Sequence, residues 1–177
     1  EAAAGIEPLT PLELPRASRV APVVRAEQPA ALKVLWRLVL PDRAIAMKPT
    51  DAGTLRVLTW DGSLVELDAA GKVVASREVP WAEQRAVAES LRAATDAAAA
   101  EQAGKTAPAG RIVKFAAGRG DCLAVGYWGG AIELRRTDGM LVGAERMPDD
   151  LAAMAWQGEA LVVAMSDGRI VALDGGP

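Results

Sequence analysis

The chain has 177 residues, of which 51% are hydrophobic and 24% are charged, a balance typical of a globular domain with its own core. Its 20 basic and 23 acidic residues give a net charge of −3, which excludes the basic surface expected of a nucleic-acid-binding protein. No apolar run is long enough to span a membrane, histidine is absent, and Cys122 is the single cysteine. Because the commonest general bases and metal ligands are missing, we expect no enzymatic activity, no metal and no cofactor.

Residues 1–30 form the first segment, and prolines recur along its whole length. The spacing of Pro8 and Pro11 matches a PxxP ligand, although an extended arm or linker is the favoured interpretation. Apolar residues such as Ile6 and Leu9 would let this arm lie along the surface of a partner. We therefore predict a proline-rich extended arm over 1–30, followed by a folded domain over 31–177.

A pattern of apolar strand, glycine-containing turn and second strand recurs in residues 55–67, 123–134 and 161–173. Its turns carry the pairs Asp61-Gly62, Gly129-Gly130 and Asp167-Gly168, which predict two-residue hairpins with positive φ at their centre. The strands are apolar on both faces, whereas a strand sheltered on one side alternates with polar residues. The repeat therefore predicts sheets that are covered on both faces.

Further strands complete each repeat. Innermost strands are predicted over 43–48, 111–116 and 151–156, and outer strands over 71–80 and 139–148, where each outer strand ends at a proline. Trp128 and its counterpart Ser166 are 38 residues apart, whereas Trp60 and Trp128 are 68 apart, so an insertion separates the first two copies. This repeat length suits a four-stranded blade, and we predict an all-β fold of about three β-propeller blades. A β-trefoil is the alternative.

The sequence does not decide how the third blade and the propeller ring are completed. The third copy stops before any outer strand, while residues 31–41 look like an outer strand that lacks the rest of its blade. The N-terminal strand could therefore complete the third blade. Because closed propellers have about four to eight blades, three would leave open apolar faces. Copies of this chain could close the ring together, another chain could supply the remaining blades, or the chain could be a fragment of a longer protein.

The insertion between the first and second copies is rich in alanine and predicts a helix over about 81–104. Val87, Leu91, Ala94 and Ala98 fall on one face, and Gly104 is a plausible stop. The apolar stripe is thin, so the helix would bury little area per turn. It could decorate the blades or serve as a docking helix for another protein.

Several segments resemble the repeat of pyrroloquinoline-quinone-like β-propellers. These are Asp167–Asp174, with its Ala-Leu-Asp ending, Leu67–Val74, with its Gly-Lys pair, and Lys33–Arg37, where Trp36 takes the docking-tryptophan position. Ala75 and Gly143 replace that tryptophan in the other copies. The resemblance implies the non-catalytic, structural branch of this family and export to the periplasm or another extracytoplasmic site, with the cytoplasm as the alternative. WD-type propellers are the next most similar class.

Trp60, Trp128 and neighbouring Tyr127 flank the predicted turns, which lie on the face that propellers usually use for binding. They are the candidate partner-binding residues, and packing between adjacent blades is the competing interpretation. The sequence therefore indicates a non-catalytic propeller scaffold or protein-interaction subunit that completes a larger propeller or complex. The alternative is an accessory subunit of an extracytoplasmic redox enzyme whose cofactor other chains carry.

Overall fold

The structure, a computed structural model, describes residues 29–92 and 97–175. The proline-rich arm predicted over 1–30 lies outside these residues except for its last two positions. The described residues are mostly β-strand, as predicted. The elements in chain order are β1 (Ala30–Ala31), β2 (Val34–Val39), β3 (Ala44–Pro49), β4 (Leu55–Thr59), β5 (Ser63–Leu67), β6 (Val73–Glu78), α1 (Trp81–Leu91), α2 (Ala97–Thr106), β7 (Val113–Arg119), β8 (Cys122–Tyr127), β9 (Ala131–Arg136), β10 (Leu141–Arg146), β11 (Leu151–Gln157), β12 (Ala160–Met165) and β13 (Arg169–Asp174).

The strands form three sheets, which we name by their order along the chain. The first sheet is the antiparallel series β3-β4-β5-β6, and the second is the antiparallel series β7-β8-β9-β10, to which β1 adds a short parallel edge. The third sheet is β11-β12-β13-β2, in which Trp36 of β2 lies opposite Ala172 of β13. The N-terminal strand therefore completes the third sheet. Separate four-stranded sheets confirm the all-β prediction and do not fit a β-trefoil, whose repeats share one barrel.

The third sheet lies in the middle of the stack, and its two faces belong to two apolar clusters. Val162 and Ile170 point to one side and pack with Leu67 of the first sheet. Leu161 and Val163 point to the other side and pack with the second sheet. Successive residues of a strand face opposite sides, so a strand between two neighbours must be apolar throughout. This burial explains why the repeat lacks the usual alternation of apolar and polar residues.

The alanine-rich insertion forms two helices instead of the single helix predicted over about 81–104. The helix α1 ends at Leu91, because the backbone of Arg92 is extended, with φ −60° and ψ 102°. Ala88 and Leu91 of α1 pack on the outer face of the first sheet. Ala103 of α2 packs on the outer face of the second sheet, at the other end of the stack. The insertion therefore divides because each half covers a different sheet.

Charged residues also mark the two outer faces. Glu66 of the first sheet forms an ion pair with Arg56, and Glu133 of the second sheet forms ion pairs with Arg111 and Arg135. The positions equivalent to these glutamates, counted from the turn glycine of each repeat, are apolar in the other sheets: Leu134 and Ala172 for Glu66, and Val65 and Val171 for Glu133. The open apolar faces expected from the sequence are therefore replaced by helices and ion pairs.

Two tryptophans join the third sheet to its neighbours. The indole Nε1 of Trp36 donates a hydrogen bond to the carbonyl oxygen of Ala69 in the first sheet, at 2.9 Å, and its ring lies against Gly71. On the other side, Nε1 of Trp156 donates to the carbonyl oxygen of Ala117 in the second sheet, at 3.0 Å. The first bond joins the third sheet to the β5–β6 turn of the first sheet, and the second joins it to the innermost strand β7 of the second sheet. The stack is thus tied together by directional contacts as well as by burial.

We predict that Gly71→Ala destabilises the protein more than Gly53→Ala does. Both glycines have nearly the same backbone conformation, with φ of +78° and +79°, so both substitutions incur the left-handed penalty of about 1–2 kcal/mol. A Cβ at Gly71 would lie 2.5 Å from the Trp36 ring, whereas a Cβ at Gly53 has nothing within 4 Å. Overpacking should add about 1–3 kcal/mol at Gly71. Urea unfolding measures both variants, and equal losses would contradict the Trp36 contact.

Candidate functional site

The turn between the second and third strands of each sheet is a three-residue loop. In the first sheet the backbone N–H of Gly62 donates to the carbonyl oxygen of Thr59, so Trp60 and Asp61 are the central residues of the turn. Gly62 follows them with φ +90°, while Asp61 has no positive φ. The turns are therefore one residue longer than the two-residue hairpins predicted. This geometry places the tryptophan at the tip of the loop, with the glycine behind it.

The equivalent loops of the three sheets, residues 60–62, 128–130 and 166–168, lie along one edge of the stack, which we call the rim. Trp60 and Trp128 are 60% and 61% exposed there, because each takes the first central position of its turn. Ser166 takes the same position in the third sheet. Two of the three candidate residues from the sequence are therefore exposed on the same edge, at the two outer sheets.

Tyr127, the third candidate residue, is 1% exposed and belongs to the apolar cluster under α2. Its hydroxyl donates a hydrogen bond of 2.9 Å to Glu133, which also accepts bonds from Arg135 and Arg111. Burial, with the Glu133 carboxylate as the second cause, raises the pKa of Tyr127 to about 12. In this position Tyr127 helps to satisfy a buried carboxylate, and its side chain does not reach the rim.

A cation stacks on each exposed tryptophan of the rim. The guanidinium carbon of Arg43 lies 4.3 Å from the Trp60 ring centroid, and Nζ of Lys114 lies 4.2 Å from that of Trp128. Lys114 also forms an ion pair of 2.8 Å with Asp150, and this contact holds the pKa of the Asp150 carboxyl below its usual value. The charge beside Trp128 is therefore neutralised by a carboxylate within the protein.

Trp81 is an exposed aromatic residue that the repeat comparison could not select, because no position of the repeat corresponds to it. It begins α1 and is 85% exposed. Together with Trp60 it borders a cleft of about 580 Å³ between α1 and the first sheet, which Ile45 and Ala88 also line. We call this space the Trp60–Trp81 cleft. Its volume is in the range of small-ligand and side-chain pockets.

A second cavity, of about 470 Å³, lies between the innermost strands of the three sheets. Phe115 and Trp156 contribute aromatic surface to it, and Met47 contributes a thioether side chain. Ile45 and Arg92 line both this cavity and the Trp60–Trp81 cleft. The two spaces therefore lie next to each other near the end of α1.

Within 29–92 and 97–175, no group of three or more cysteine, aspartate or glutamate side chains is placed to hold a metal ion. No helix in the same part of the chain has the length and apolar character needed to cross a membrane.

No protein-family model matches the chain, and no curated protein matches it. Among solved structures, BamB from Moraxella catarrhalis is 14% identical with a TM-score of 0.33, over 72% of this chain and 30% of BamB. Chaetomium thermophilum Raptor is 12% identical with a TM-score of 0.35, over 70% of this chain and 9% of Raptor. The β-propeller domain of Myceliophteria thermophila Cps50 (Swd1) is 11% identical with a TM-score of 0.28, over 76% of this chain and 34% of that domain.

The chain thus spans about a third or less of each of these proteins. Its own sheets define the architecture. Each contains a run of consecutive antiparallel strands, the sheets stack in the same sense, and their innermost strands are adjacent, as in the blades of a partial β-propeller.

We predict that Tyr127 ionises near pH 12 in the folded protein and near pH 10 after unfolding. It is the single tyrosine of the chain, so ultraviolet titration reports it directly. Because the unfolded state releases this proton first, the stability linked to it is complete below about pH 10 and is lost as pH rises toward 12. Glu133→Gln should move the pKa back toward 10. A folded protein that titrates near 10 would contradict the buried position.

Proposed function

We propose that the chain is a non-catalytic scaffold of the β-propeller class that binds a protein partner through its rim. The observation that carries this proposal is the equal exposure of Trp60 and Trp128 at the same position of two repeats, each with a stacked cation. A tryptophan that served only the fold would be buried, as Trp156 of β11 is. Tryptophan and arginine are also the residues most enriched among binding hot spots.

The proposal places the partner on the rim and not on the ends of the stack. Further blades would have to stack on the outer faces of the first and second sheets, where α1 and α2 pack. Glu66 on the outer face of the first sheet would be buried against any additional sheet, at a cost that its present ion pair with Arg56 does not offset. The rim carries no such obstacle, because its tryptophans are already exposed.

We further propose that the chain belongs to the pyrroloquinoline-quinone-like branch. The contact of Trp36 with Ala69 and Gly71 supports this, since the resemblance assigned Trp36 to the docking position between neighbouring blades. Export from the cytoplasm is part of the same proposal and rests on the resemblance alone. The described residues contain three sheets, and the strand β2 closes the third of them.

The proposal predicts that a photo-crosslinker on the rim captures a partner. Benzoylphenylalanine would replace Asp167, an exposed residue on the third-sheet loop, between the two tryptophan loops. The matched control position is Asp138, which is also exposed and makes the same kind of local bond two residues along the chain, but at the opposite end of the second sheet. After irradiation of the full chain in an extract of its natural source, mass spectrometry should find a defined protein adduct at position 167 and not at position 138.

The role of the tryptophans is then tested in the same background. Trp60→Ala combined with Trp128→Ala should reduce the adduct at position 167 at least tenfold, while the circular dichroism spectrum stays unchanged. Equal adducts at positions 167 and 138, or an adduct that survives the double substitution, would refute binding through the rim.

A further inference from the structure

The Trp60–Trp81 cleft combines apolar walls with an excess of positive charge. Two indole rings stand at its mouth, and Ile45 and Ala88 line its interior. Among its lining residues the charged side chains are Arg85, Arg92 and Glu89. Arg85 and Glu89 form an exposed ion pair of 3.0 Å, so their charges cancel.

Two guanidinium groups of this region have no carboxylate partner within the part of the chain that the structure describes. Arg92 makes no ion pair there, and Arg43 stacks on Trp60 without one. Asp42 and Asp61 lie next to Arg43 and Trp60 in the chain, and their carboxylates accept backbone bonds within their own turns and form no ion pair with Arg43 in the described residues. Among the residues that line the cleft itself, Arg85 and Glu89 cancel, so Arg92 gives the lining its net positive charge.

The opposite end of the rim provides an internal comparison. Trp128 has the same exposure and the same kind of stacked cation as Trp60, but Asp150 neutralises its lysine. No second exposed tryptophan stands beside it among the described residues. The two ends of the rim thus share their architecture. They differ because the cation on Trp60 makes no ion pair within the described residues, whereas the cation on Trp128 pairs with Asp150. This difference favours a ligand that places a negative charge at the Trp60 end.

We infer that the Trp60–Trp81 cleft binds an extended acidic peptide segment of the partner, with a large apolar side chain next to its carboxylate. The apolar side chain would lie between the indole rings, where aromatic surface gives contact area with few rotatable bonds. The carboxylate would pair with Arg92, which lines both the cleft and the neighbouring cavity, and Arg43 would attract it from the rim. This inference rests on the proposed function, since it names the chemistry of the partner at one part of the rim.

A random dodecapeptide library, panned on the full chain, tests this directly. We expect the enriched peptides to carry aspartate or glutamate within two residues of tryptophan, phenylalanine or leucine. A library that yields no enriched sequence, or one that yields neutral or basic sequences, would overturn the inference. If rim crosslinking at position 167 succeeds while panning gives no acidic consensus, the cleft inference alone fails. If both fail, the proposed function fails with it.

Variants then locate the bound peptide, with fluorescence anisotropy of the enriched peptide as the measurement. Trp60→Ala, Trp81→Ala and Arg92→Gln should each raise Kd at least tenfold, and Arg92→Gln should also weaken the dependence of Kd on salt. Arg136→Gln and Met140→Ala remove an exposed charge and an exposed apolar side chain at the far end of the second sheet, so they should leave Kd within twofold. Equal effects of the two sets would place the peptide elsewhere and overturn the inference.

Discussion

Burial of the third sheet on both faces is the constraint on which the rest of the structure depends. Residues such as Leu161, Val162 and Val163 succeed one another with no exposed surface, so neighbours must cover both sides of their strand. Each fully buried aliphatic side chain contributes about 1.5–3 kcal/mol of transfer free energy, which makes this three-layer core the main source of stability. The first and second sheets are held in place because they supply those neighbours. Trp36 and Trp156 then set how each sheet is positioned against the third.

In a stack of sheets that are apolar on both faces, the outermost faces must be covered. In this chain the helices of the insertion cover them. The insertion interrupts the repeat between the first and second copies, which are the two sheets at the ends of the stack. Its halves can therefore reach opposite faces, and the small side chains of Ala88 and Ala103 let the helices lie close to the strands. The thin apolar stripe, which looked weak for a helix, suits an element that covers the two innermost strands of a sheet and builds no core of its own.

Closure of the outer faces leaves the rim as the surface with the most exposed aromatic area. The three-residue loops expose the residue in their first central position, and the chain places tryptophan there in two sheets and serine in the third. The helix α1 adds Trp81 and Arg92 beside the first of these tryptophans. The insertion therefore has two roles, because the helix α1 covers the outer face of the first sheet and also forms one wall of the cleft.

The sequence by itself determined the features that depend on local pattern. Two-sided apolar strands, glycines after each turn and a repeated tryptophan position were enough to predict four-stranded sheets and to select Trp60 and Trp128. It did not distinguish Tyr127 from its neighbour, because adjacent residues at a strand end point to opposite sides and the covering element was unknown. Only the tertiary structure decided that the third sheet lies in the middle, that β2 completes it, and that the insertion divides into two helices at Arg92. These features depend on contacts between residues far apart in the chain, such as Trp36 with Gly71 and Ile45 with Arg92 around one cleft, and no local period encodes such contacts.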